Sequence, residues 1–82
     1  MKKDVDYYNG LPWRVVIDPE RQDDGSIIFV AFHPDFDGVL GTGKTAEAAL
    51  ADLGAARRSM IEALLAEGYQ IPEPAVATPA VE

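Results

Sequence analysis

Apolar and polar positions alternate with a period of two from Trp13 to Asp18, with Trp13, Val15 and Ile17 on one face and Arg14, Val16 and Asp18 on the other. Such alternation in a segment rich in β-branched residues predicts a strand. The polar stretch Pro19 to Gly25 ends in Asp24-Gly25, a pair suited to a turn that needs positive φ, and the apolar run Ser26 to Phe32 follows it. Together they predict a hairpin with a rather long loop. Pro34 and Gly38 interrupt the run, and Val39 to Thr42 predicts a short third strand.

From Thr45 the period lengthens to that of a helix. Thr45 is a good N-cap, Glu47 places negative charge in the first turn, and Ala46, Ala49, Leu50, Leu53, Ala56, Met60, Ile61 and Leu64 form a stripe at spacings of three and four. That stripe predicts a helix laid on the sheet. Gly68 suits the C-terminal cap, and Tyr69 to Pro72 leaves extended because a residue before proline avoids the helical region. Gly54, in the helix interior, is open to two readings: a close approach to the sheet or another chain, or a tolerated glycine. The fold class expected is α+β, a small antiparallel sheet of about three or four strands with one helix packed on it. The domain spans residues 1–71, and the proline- and alanine-rich residues 72–82 are expected to form a mobile tail.

Composition narrows the function. The chain has 82 residues, room for one small core, so a partner subunit is a common way to add burial. Fourteen acidic against seven basic side chains give a formal charge of −7, which repels phosphate backbones and attracts a basic protein. Without cysteine there are no disulfides, thiolate metal sites or cysteine nucleophiles. Neither a signal peptide nor an apolar run of membrane-spanning length is visible, so the expected location is the cytoplasm.

One motif invites an enzymatic reading. Gly38 to Thr45 (GVLGTGKT) matches the phosphate-cradling loop of nucleotide triphosphatases, in which a lysine such as Lys44 meets the terminal phosphates and a hydroxyl such as Thr45 meets magnesium. Its context argues otherwise. Such a loop directly follows a buried strand, whereas His33 to Asp37 separates Phe32 from Gly38, and no further βα units follow the helix. His33, the sole histidine, lacks a nucleophile or second ligand and reads as a surface or turn residue. Asp23-Asp24 and the Asp35/Asp37 pair supply too few oxygens for a calcium loop and read as solvated. Arg57-Arg58 is too small a basic patch for nucleic acid and is expected to pair with carboxylates such as Glu62. No catalytic residue, cofactor or metal is assigned. Aromatic residues are more numerous than one sheet–helix interface can bury, so some are candidate partner anchors.

The order of pieces resembles the HicB family, the antitoxin component of HicA–HicB toxin–antitoxin systems. The resembling letters are Trp13 to Ile17, the turn into Asp24-Gly25, Ile28 to Phe32, Pro34-Asp35-Phe36-Asp37-Gly38, Gly43-Lys44-Thr45-Ala46-Glu47-Ala48-Ala49-Leu50 and Ile71-Pro72-Glu73-Pro74. The resemblance implies a partial ribonuclease-H-like fold without the catalytic acidic cluster. It also implies a partner, a small basic HicA-type mRNA-cleaving toxin, neutralised by steric occlusion. Many HicB antitoxins continue into a DNA-binding domain, but here only a short tail follows the helix, so direct DNA binding is not expected. A homo-oligomer, dimer or tetramer, is expected through sheet edges or the helix. Asp35, Phe36 and Asp37 are the partner-binding candidates by their acidic and aromatic character. The alternative is a solitary HicB-like oligomeric binding or regulatory domain without a toxin partner, and a nucleotide-binding enzyme comes last.

Overall fold

The computed structural model describes residues 2–74. Its elements run α1 (Val5–Asn9), β1 (Val16–Arg21), β2 (Ile27–His33), β3 (Phe36–Gly43) and α2 (Ala46–Glu67). The strands form one antiparallel sheet in the order β1-β2-β3. Helix α2 lies across one face of it, so the α+β class expected from the pattern is the architecture observed. The core comprises Ala31, Phe36, Val39, Ala49, Leu53, Ile61 and Ile71.

The helix begins and ends where its signals stand. Thr45 Oγ1 accepts from Ala48 N at 3.0 Å, and Gly68 closes the last turn in the left-handed region, with its N–H donating to Leu64 and Leu65 carbonyls. Ala49, Leu53 and Ile61 are buried, but Ala46 and Leu50 from the expected stripe are exposed. Ala49 and Leu53 take up the contact with β3, and Leu50, about 100° around the helix from Ala49, is turned off it.

The strands depart from expectation at their ends. β1 starts at Val16 and runs through Pro19 to Arg21, leaving a hairpin loop of only residues 22–26. Proline is tolerated here because β1 is an edge strand. Thr42 N–H leaves the ladder to donate to Asp52 Oδ2 at 2.9 Å, so the Val30–Thr42 pair is a non-hydrogen-bonded one. Alternation then turns the Val30 N–H toward Asp18, and the next residue, Pro19, stands where an N–H would point outward. No ladder bond is lost. β3 starts at Phe36, earlier than expected, because His33 pairs with Phe36 across a tight Pro34-Asp35 turn. The pairing jumps from Phe32↔Leu40 to His33↔Phe36, and Gly38, at φ +86°, absorbs the bulge in a conformation that side-chain-bearing residues rarely adopt.

Helix α1 was not foreseen. Asp4 caps it by accepting from Tyr7 N at 3.0 Å, but five residues are too few to show a period. Ile71 and Pro74 are buried, and Glu73 accepts from Lys3 Nζ at 3.1 Å and Tyr7 Oη at 3.2 Å. The segment through Pro74 therefore lies against the domain, past the expected boundary at residue 71. The remainder of the expected tail, residues 75–82, lies outside the described residues.

Candidate binding face and the buried histidine

Among the described residues the sheet is covered on one side only. Register places Ile17, Ala31 and Gly41 in one cross-strand row facing α2, and Val16, Phe32 and Leu40 in the adjacent row facing away. The outward rows continue with Asp18, Val30 and Thr42, then Glu20 and Ile28. α1 packs against α2, so among the described residues no element lies over this outer face. Leu40 is 54% exposed, and Ile28, Val30 and Phe32 are half-buried.

Beside the register shift between β2 and β3, an open depression of about 350 Å³ is lined by Phe32, His33, Phe36, Asp37, Gly38, Val39 and Leu40. Phe32 and Leu40 face outward, so the depression opens on the bare side of the sheet. This is the surroundings of the three partner-binding candidates, which the structure treats differently. Asp35 is clamped by Arg14, whose Nε and Nη2 donate to its two carboxylate oxygens at 3.0 and 2.8 Å. Arg14 holds the Asp35 carboxyl below the usual carboxylate range, mainly through that hydrogen bond. Phe36 is buried and stacks on Trp13 with ring centroids 5.1 Å apart, so its ring supports the core. Asp37 alone is exposed.

His33 is a correction to the surface reading: it is buried, at 2% exposure. Arg57 Nη1 donates to its Nε2 at 3.1 Å, which leaves the proton on Nδ1 to donate to the Arg14 carbonyl at 2.7 Å. Burial first, and the Arg57 charge as well, push the His33 pKa below its ordinary value. Trp13 lies over the imidazole at 5.5 Å and donates its indole N–H to Tyr8 O at 2.9 Å. Arg57 also donates from Nε to Asn9 Oδ1 at 2.8 Å. With both nitrogens engaged, the ring ties β2 to the segment before β1 and to α2, from which Arg57 reaches on to α1, and it has no lone pair left for a substrate or metal. Arg57 thus pairs with neutral acceptors, contrary to the expected carboxylates, whereas Arg58 does meet Asp6 at 3.4 Å and Glu62 at 3.8 Å.

The phosphate-loop letters are laid out in a strand. Gly38 to Gly43 belongs to β3, Lys44 is exposed, and Thr45 caps α2. A Cβ on Gly41 would overlap Leu53 N and come within 2.5 Å of Ala49 O, and one on Gly43 would come within 2.6 Å of Ala48 Cβ. These glycines let the helix backbone rest directly on β3; they do not wrap a cradle of N–H groups. Asp24 accepts from both the N–H and the hydroxyl of Ser26, at 2.9 and 2.6 Å, in a local turn. Among the described residues no three His, Asp or Glu side chains converge as metal ligands, and no helix is long and apolar enough to cross a membrane. No family model, no curated protein and no solved structure matches this chain.

Proposed function

We propose that this chain is a cytoplasmic binding protein without chemistry of its own, an antitoxin of HicB type that covers a small basic HicA-type mRNA-cleaving toxin. The observation that carries the reading is the bare outer face of the sheet, where Val16, Ile28, Val30, Phe32 and Leu40 lie between Asp18, Glu20 and Asp37. An apolar patch rimmed by acids suits a basic protein, since opposite potentials speed encounter and exclude wrong partners. The resemblance in letter order from Trp13 to Pro74 supplies the class of partner, and the net charge of −7 agrees with it.

The test is capture from the native host with this chain as bait, at low and high salt, followed by an RNA-cleavage assay of the captured protein. A small basic ribonuclease, inhibited stoichiometrically by the chain and held less tightly in high salt, is the expected result. Recovery of the bait alone would favour the second reading, a solitary oligomeric binding domain, dimer or tetramer. The small core among the described residues, built on Ala31, Phe36, Val39, Ala49, Leu53, Ile61 and Ile71, speaks for that reading, because self-association adds burial to a small domain.

A further inference from the structure

We propose that the outer face of the sheet docks its basic partner by taking one arginine side chain into the depression beside Asp37. The inference rests on the proposed reading in one respect, that the partner is a basic protein; the location and the mode of recognition come from the surface itself.

Three features converge on this spot. The first is shape. At about 350 Å³ the depression lies at the low end of the roughly 300–1,000 Å³ typical of ligand sites, a size suited to a single long side chain. The second is chemistry. Its walls include Phe32 and Leu40, which can cover the methylene stem of an arginine, and Asp37, whose carboxylate can accept from the guanidinium. The third is the charge around it. The outward-facing strand residues include Asp18, Glu20 and Asp37 but no lysine or arginine. Of the cations around it, Arg14 is clamped to Asp35, and Arg57, on α2, is held by His33 and Asn9 on the covered side of the sheet.

The same charges argue against a second copy on this face. Two such faces packed together bring acids against acids without a countercharge, and like charges across an interface oppose association. Neither edge offers an easy route for adding a strand. Pro19 removes an outward donor from β1, and the Asp52 carboxylate occupies the outward Thr42 N–H of β3. The face is the larger unguarded surface, and its charge selects a basic occupant.

The probe is N-acetyl-arginine amide, titrated at millimolar concentration into the ¹⁵N-labelled full chain, with N-acetyl-citrulline amide as its neutral isostere. Amide shifts are expected at Phe32, Gly38, Val39 and Leu40. The citrulline probe, and the arginine probe on Asp37→Asn, should bind about tenfold more weakly, as expected when a charge-assisted hydrogen bond is lost. Equal binding of the two probes, no binding, or shifts confined to another surface overturns the proposal. So do concentration-dependent shifts of Val30, Phe32 and Leu40 without any probe, which would assign the face to a second copy. Two comparisons separate this inference from the toxin-directed reading. If host capture yields a basic protein equally well with Leu40→Glu and Asp37→Asn, the partner reading stands and this docking surface falls. If the arginine probe docks as described but no basic protein is captured, the docking mode stands and the toxin-directed reading falls.

Discussion

His33 carries more of this molecule than its position suggests. Its two ring nitrogens join the Arg14 carbonyl, 19 residues away, to the Arg57 guanidinium, 24 residues away. Only the neutral ring can do both, since a second N–H would face the Arg57 donor across 3.1 Å. The consequence for pH follows from linkage. Because burial and Arg57 depress the folded-state pKa, the unfolded chain takes up the proton first. The histidine's contribution is therefore complete above about pH 6.5, the unfolded value, and is lost as pH falls through the lower folded value. Urea midpoints measured from pH 7 to pH 5 should decline, and His33→Gln should remove that slope while lowering stability at pH 7. A slope that survives the substitution would place the titration elsewhere. The lowered carboxylates, Asp24 and Asp35, do not confuse the window, because their losses come below their ordinary value of 3.8. Nothing in the letters around His33 distinguishes this site from a turn residue. Its partners are brought from other elements, and only Pro34 and the end of an apolar run are local.

At the scale of elements, the contact between α2 and β3 decides the shape of the core, and the glycines on the two sides of it behave oppositely. Gly41 is a packing glycine: a Cβ there meets Leu53 N, Leu53 Cα and Ala49 O, which are backbone atoms that cannot swing aside. Gly41→Ala should cost about 3 kcal/mol, at the upper end of overpacking penalties, because the helix must lift from the strand. Gly54, for which a close approach was one reading, meets only the tip of Arg57 at 3.8 Å. Gly54→Ala should therefore stabilise the chain by about 0.5–1 kcal/mol through helix propensity alone. Opposite shifts in urea midpoint from two glycine-to-alanine changes check the assignment; shifts of the same sign would contradict it. Helix α2 itself was legible from its cap, stripe and terminal glycine. Which residues of the stripe touch the sheet was not, because that depends on the angle at which the helix crosses the strands. A period fixes a face only to within a broad sector.

For the whole molecule, the open question is how a one-sided sheet stays out of unwanted assemblies. Pro19 stands on the outer edge of β1, and the structure gives it a role that its place in the polar stretch did not suggest. Pro19→Val restores an outward N–H and a β-favouring side chain, which should promote edge-to-edge pairing. Light scattering of the variant should show mass rising with concentration beyond that of the parent chain. Identical behaviour of the two would mean that Pro19 does not guard the edge.

The sequence by itself determined the class of fold, because periods of two and then 3.6, with turn and cap residues between them, follow from local backbone geometry. It also determined the acidic balance, which no folding can change. The tertiary structure decided whatever depends on contacts between segments distant in the chain. It laid the phosphate-loop letters into a strand, since Gly41 and Gly43 are needed where the helix comes closest. It buried Phe36 and left Asp37 exposed, two neighbours that composition alone had treated as one candidate surface. Among the described residues it also left one face of the sheet bare, because a single long helix can cover only one side of three strands.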